Sequence, residues 1–244
     1  MNETITLLKQ HSSIRKFTKD PVTGEQLEAI LTAAQQASTS SNMQAYSVIG
    51  ITDKELRSEL AKLAGNQAYV EESPVFLVWC ADLYRWEQAA KRHYDGEMPS
   101  STENFIIATV DATLAAQNAA VAAESLGLGI VYIGGIRNHP DRVAELLGLP
   151  QYVYPVFGMC IGVPDQSPLD RPRLPLRAVY FENSYKPDTI DSAIDDYDET
   201  LSTYMKARSN GKVSTTWSLA MAGKAGPVRM HMRSFLQKQG FKLE

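Results

Sequence analysis

The chain has 244 residues, 44% of them hydrophobic and 21% charged, with a formal net charge of −4. That length and apolar content suffice for a full hydrophobic core and exclude a disordered chain. The acidic balance argues against a nucleic-acid partner, which calls for a basic stripe on one face.

An opening helix precedes His11. The first residues, MNETITLLKQHSS, carry an early acid and lack the basic start, apolar run and cleavage site of a signal peptide, so a cytoplasmic location is expected. Thr23 and Gln26 form a T-x-x-Q capping signature ahead of Leu27, Ile30, Leu31 and Ala34, which predicts an amphipathic helix to about Ala37. After a polar break at 38–41, residues 46–52 (YSVIGIT) and 75–81 (VFLVWCA) read as strands, with a helix over 53–63 between them. The second strand is almost wholly apolar and should be covered on both faces.

The longest apolar segment, 105–123, is alanine-rich and interrupted by Asp111, Gln117 and Asn118. Those residues are costly in a bilayer and ordinary in a buried helix, so no membrane span is expected. Residues 103–126 read as a central core helix stopped by Gly127 and Gly129. A short strand at 130–133, a helix at 141–147 opened by Pro140 and a strand at 156–163 follow. Prolines recur over 164–187, where the chain should run extended over the surface, and helices return at 188–206 and 227–239. The alternation gives an α+β or α/β sandwich without internal repeats. Cys80 and Cys160 lie in apolar runs with no His or Cys at ligand spacing, so they read as buried reduced thiols, and neither a disulfide nor a metal site is expected.

Several clusters could carry chemistry. His11-Ser12-Ser13-Ile14-Arg15-Lys16-Phe17 sets two hydroxyls, a histidine and two cations in one loop. A phosphate takes that mixture, with a guanidinium for bidentate contact and hydroxyl and backbone donors for the remaining oxygens; a solvated basic turn has the same composition. Gly134-Gly135 is either a close-approach loop or a plain turn, and Arg171 and Arg173 are either anion ligands or solvated charges on an extended segment. Gln67 is either a ligand contact or a residue bonded within its own loop. Lys206, Arg208 and Lys212 gather around the Asn210-Gly211 turn, as an anion contact or as a solvated basic loop. Trp86, His93 and Tyr94 in the 84–104 stretch are further lining candidates, although a lone histidine in a charged segment is ordinarily a surface residue. No G-x-G-x-x-G lies between a strand and a helix, so nothing supports a Rossmann nicotinamide domain.

Taken in order, HSSIRKF (11–17), QQASTSSNMQ (35–44), GNQAY (65–69), AAESLGLG (122–129) with VYIGGIRN (131–138), and FGMCIGVP (157–164) with RPRLP (171–175) resemble the nitroreductase family. The resemblance runs along essentially the whole chain. It points to the subgroup of NADPH-dependent flavin reductase P and the oxygen-insensitive major nitroreductases. It implies an α+β sandwich with a central, mostly antiparallel sheet flanked by helices. It also implies a single FMN-binding domain over 1–244, in which 164–244 forms an extended excursion and C-terminal helical segments, and a homodimer with FMN at the subunit interface.

Residue by residue, the resemblance implies that His11, Ser12, Ser13 and Arg15 hold the phosphate and ribityl chain, with Arg171 and Arg173 as further phosphate ligands. Thr39 and Ser40 then line the cofactor, Gln67 and Tyr69 lie near the ring edge, and Tyr132, Ile133, Gly134 and Gly135 form the loop beside the isoalloxazine. Arg208 and Lys212 match the segment that gathers the 2′-phosphate of NADPH. Asn42 stands where a bulkier apolar side chain is expected over the flavin, which bears on acceptor choice. The implied activity is a ping-pong reduction of nitro compounds, quinones or free flavin by two electrons from NADPH, with no side chain as nucleophile or general acid. A non-catalytic flavin-binding or storage protein, and another flavin reaction such as reductive dehalogenation, are the alternatives.

Overall fold

Residues 2–96 and 100–244 are described by the computed structural model. Four strands form one sheet: β1 (Tyr46–Gly50), β2 (Val75–Asp82), β3 (Gly129–Ile133) and β4 (Val153–Gly162), in the order β1-β2-β4-β3. Every pairing is antiparallel. In chain order the α-helices are α1 (Glu3–Lys9), α2 (Gly24–Gln35), α3 (Lys54–Leu63), α4 (Ala68–Glu72), α5 (Tyr84–Ala90), α6 (Thr102–Ser125), α7 (Pro140–Leu146), α8 (Ile190–Arg208), α9 (Trp217–Ala222) and α10 (Met232–Lys238). The fold is α+β, with helices on both faces of an antiparallel sheet.

The strand period of two sorts β2 between two cores. Leu77, Trp79 and Ala81 pack with Ile30 and Ala34 of α2, the alanines of α6 and Phe235 of α10. Phe76, Val78 and Cys80 face the other way, onto Leu60 and Ala61 of α3, Val70 of α4 and Val143 of α7. Coverage on both faces is what the continuous apolar run of β2 anticipates. Both thiols are buried and unbridged.

Helix starts follow their sequence signals. Thr23 and Gln26 form a reciprocal capping box on α2, Asp53 caps α3 by accepting from Leu56 N, and Pro140 opens α7. β4 begins at Val153, three residues before the sequence reading placed it. Pro155 conceals that start, because a proline inside a run argues against a strand; it is tolerated here opposite Cys80, where the β2–β4 register shifts in a bulge. The terminal helix, α10, is in turn shorter than expected.

Helix α6 is long and apolar enough by length and composition to cross a bilayer. In the fold its buried face is a column of small side chains, Ala108, Ala112, Ala115, Ala116, Ala119, Ala120 and Ala123, which lets α2 and the sheet approach closely. Its outer face carries Ile106, Val110 and Leu114, which are 47%, 47% and 42% exposed.

The chain divides into two compact units, Met1–Ser167 with Arg229–Glu244, and Pro168–Val228. The second unit, described by itself, holds α8 and α9. Thr216 caps α9 by accepting from Leu219 N, Asp198 of α8 accepts from Ser218 N at 2.8 Å, Tyr197 donates to the Pro172 carbonyl at 2.8 Å, and Arg177 pairs with Asp196. Residues 168–187 contain no strand and only a short 3-10 turn at Leu176–Ala178, with another beginning at Pro187, as the prolines imply.

Candidate functional site

The HSSIRKF loop lies across the beginning of β3 and the end of β4. Ile14 N donates to Ile130 O at 2.9 Å, Thr18 N to Val163 O at 2.9 Å, and Asp165 N to Lys16 O at 2.9 Å. The Ile14 side chain fills the space a Cβ would need at Gly129, so that glycine is required by the packing. Three sequence motifs, HSSIRKF, AAESLGLG and FGMCIGVP, therefore meet at one end of the sheet.

The loop's backbone is tied, but its donors are open. Among the described residues the hydroxyls of Ser12 and Ser13 and the guanidinium of Arg15 have no hydrogen-bond or ion-pair partner, and Arg15 is exposed with no carboxylate against it. Only its backbone N–H is engaged, by Gln166 Oε1 at 3.3 Å. His11 is the exception, with Nδ1 2.5 Å from Glu124 Oε1. Two hydroxyls and a bidentate cation without partners fit a phosphate in chemistry.

At the other end of β3, the Gly134-Gly135 turn meets GNQAY. A Cβ at Gly135 would collide with the Ala64 carbonyl oxygen and crowd Gln67 Nε2, so this glycine serves the packing of the turn against the end of α3. Gly134 is less constrained, with Arg137 Nη2 3.5 Å from where its Cβ would lie. Gln67 Nε2 donates to Ala64 O at 2.6 Å, and its carbonyl accepts from the Tyr69 hydroxyl, so this amide is bonded within its own loop. Tyr132 packs edge-on to Phe157 and its hydroxyl donates to Gln117 of α6 at 3.3 Å. Burial, with Glu124 adding to it, pushes the Tyr132 phenol well above its ordinary value, and Ile133 is buried.

Thr39 and Ser40 belong to a third loop, held from a distance. Asp111 of α6, 1% exposed, accepts from Ser40 N through Oδ1 and from Ala45 N through Oδ2, both at 3.0 Å. Between those two anchors Ser41, Asn42 and Gln44 take positive φ angles of 46°, 58° and 50°. Left-handed backbone at three non-glycine positions persists only where surrounding structure over-determines it, and asparagine is among the residues best suited to it. Asn42 is exposed there.

In the second unit Arg171, Arg173, Arg208 and Lys212 are exposed. Arg173 bends back on its own segment, donating to Arg171 O at 2.6 Å. Arg208 ends α8, and the turn beyond it is closed by Val213 N donating to Ser209 Oγ at 2.8 Å, which leaves Arg208 and Lys212 without side-chain partners among the described residues.

Three participants escaped the sequence reading. Asp111 served there only as an interruption of an apolar stretch, and its charge inside an alanine face was the available signal. Glu124 sat within a quoted motif without a role. Arg229 donates through Nε to Asn138 Oδ1 at 3.0 Å, beside Arg137, whose guanidinium is shifted down by burial and by the like charge of Arg229. Nothing in their spacing along the chain marks those two arginines as neighbours. Of the 84–104 stretch, His93 and Tyr94 are exposed, Trp86 packs against the core on the α2–α6 side, and residues 97–99 lie outside the described residues.

The sheet order, the two-sided core and the convergence of the motifs on β3 define a class of proteins that comparison identifies. Residues 8–163 match the family described as "Nitroreductase family" and residues 171–244 match "Nitroreductase family, C-terminal domain", and the chain belongs to the nitroreductase family. Among curated proteins it is 46% identical to "FMN reductase (NADPH)" of Bacillus subtilis (strain 168), with 99% of each chain covered. It is 45% identical to "NADPH-flavin oxidoreductase" of Vibrio harveyi, with 98% of each covered. Its fold superposes on the solved structure of the hypothetical oxidoreductase YcnD from Bacillus subtilis with a TM-score of 0.97, at 42% identity over 100% of both chains.

Proposed function

We propose that this protein is an FMN-dependent oxidoreductase that takes electrons from NADPH and passes two of them to a small nitro, quinone or flavin acceptor; its relatives' names indicate NADPH and a flavin for them. The observation that carries the reading is the loop at 11–15, whose two hydroxyls and guanidinium have no partner among the described residues. Bound FMN supplies the redox chemistry, accepting hydride equivalents from the nucleotide and giving them to the acceptor. The chain's own part is binding and orientation. His11, Ser12, Ser13 and Arg15 hold the phosphate and ribityl chain, with Arg171 and Arg173 as further phosphate ligands, while Thr39, Ser40, Gln67, Tyr69 and the turn at Tyr132, Ile133, Gly134 and Gly135 line the rest.

The two ends of this set suit an elongated cofactor. The phosphate-type loop meets the first residues of β3 and the glycine turn follows its last, a separation of roughly 13 Å at the usual rise per strand residue. Arg208 and Lys212 recognise the 2′-phosphate of NADPH. The protein works as a cytoplasmic homodimer with each chain serving as one FMN-binding domain. Support for the dimer comes from the exposed stripe Ile106, Val110 and Leu114 at helical spacing on α6, since an apolar surface of this kind calls for a partner.

Purified protein should be yellow, release FMN rather than FAD on denaturation, bleach on mixing with NADPH, and scatter light as a dimer. A colourless chain that cannot be reconstituted with FMN refutes the reading.

A further inference from the structure

Glu124 lies in the last turn of α6, just before the chain turns through Gly127 into β3. Its side chain is 12% exposed, and its one side-chain partner among the described residues is His11, 113 positions away, at 2.5 Å. A cavity of about 150 Å³ beside it has Ser12, Gln10 and Glu124 in its wall, so the carboxylate shares a space with a hydroxyl of the phosphate-type loop. A bare carboxylate in that position would repel an incoming anion. Bonded to Nδ1, it leaves Nε2 as the only nitrogen His11 can offer outward. A ring that donates to a carboxylate on one side and a phosphate on the other donates at both nitrogens, which only the imidazolium does.

We propose that Glu124 is a positioning residue for the cofactor phosphate: it fixes the His11 ring through Nδ1 and so presents Nε2 as an N–H donor. The proposal rests on the FMN reading above. In Glu124→Gln the shape is kept, but the negative charge that pairs with a ring donating at both nitrogens is removed, and an amide that can either accept from Nδ1–H or donate to Nδ1 no longer obliges the ring to donate there.

Equilibrium dialysis of the purified holoprotein, with FMN and with competing riboflavin, tests this because riboflavin lacks the phosphate. Glu124→Gln should weaken FMN about tenfold, the scale on which a carboxylate behind a ligating histidine acts, and leave riboflavin affinity unchanged. The double variant His11→Ala/Glu124→Gln should bind FMN no more weakly than His11→Ala alone, since the carboxylate acts through the ring. Equal losses of FMN and riboflavin, unchanged FMN affinity, or additive losses in the double variant would each overturn the role of Glu124 alone. A wild-type protein that binds neither flavin would overturn the FMN assignment and this proposal with it.

Discussion

Two polar loops of the first unit are alike in composition and opposite in construction. The loop at 11–17 is fastened by backbone bonds to β3 and the end of β4, and the side chains of Ser12, Ser13 and Arg15 are left without partners among the described residues. The loop at 39–44 makes its backbone bonds locally, runs through three left-handed residues, and is fastened to its surroundings by side chains, the Asp111 carboxylate of α6 and Arg85, which donates to Gln44 O. The first is thus held by its backbone and offers side chains; the second is held by side chains and offers a shaped backbone. Counting hydroxyls and amides in the sequence does not separate these cases, because what a ligand can use is whatever the fold has not already bonded.

The contrast breaks most readily at Asp111. Asp111→Ala leaves the buried Ala45 N–H without its acceptor, at about 1–3 kcal/mol, and frees the more exposed Ser40 N–H at a smaller cost, so urea unfolding should register a loss of roughly 1–4 kcal/mol. An unchanged midpoint would mean that the 39–44 loop is not held from α6, and the distinction between the loops would collapse. At the other loop the effect should fall on the ligand and spare the fold. Arg15→Ala should weaken FMN retention by roughly 1.5–3 kcal/mol, the worth of a hydrogen bond to a charged group, with its urea midpoint unmoved. Retained FMN affinity would show that Arg15 faces solvent only.

The basic turn after α8 sharpens the comparison, since Arg208 and Lys212 are exposed and also without side-chain partners among the described residues. Arg208→Ala should raise the Michaelis constant for NADPH roughly tenfold and leave NADH kinetics nearly unchanged, with the wild-type preference eroding as added salt screens the exposed charge. Equal losses with both nucleotides would remove the 2′-phosphate assignment. The smallest effect is expected at the buried thiols. Burial, with Asp82 adding to it, pushes Cys80 from 9.0 up to about 12, and burial does the same to Cys160 against the opposing pull of Ser73 and Arg57. A folded-state value above the unfolded one means that this stability is fully present below pH 9 and is lost as pH rises toward 12. Urea midpoints at pH 8 and pH 10 should differ in wild type, and the difference should shrink in Cys80→Ala; identical slopes would argue that the thiols titrate freely.

Much of the fold was legible because local signals and burial agreed. The capping pair Thr23 and Gln26, the two-faced run of β2 and the stop at Gly127 each act within a few residues of where they are written. Pro155 was misleading because its tolerance depends on a bulge at the neighbouring Val156, which only the pairing with β2 reveals. The site was legible as a set of loops and illegible as a set of bonds. Gln67 was expected at a ring edge, and its amide is bonded to Ala64 and Tyr69. Glu124 and His11 are separated by 113 residues, and Asp111 stands 71 positions from Ser40. Pairings over such distances are set by how α6 crosses the sheet, which no window of sequence records.

That helix acts as a measuring rod. Asp111 and Glu124 stand 13 residues apart on one uninterrupted α6, about 20 Å at 1.5 Å per residue; the first fastens the 39–44 loop and the second bonds the His11 ring of the 11–17 loop. The spacing between these two contacts is therefore written into the count of residues in a single element. One residue inserted between the two carboxylates would advance the second by about 1.5 Å and rotate it by about 100°, so that the helix could keep the bonds of Asp111 to Ser40 N and Ala45 N only by losing the contact of Glu124 with His11, or the reverse.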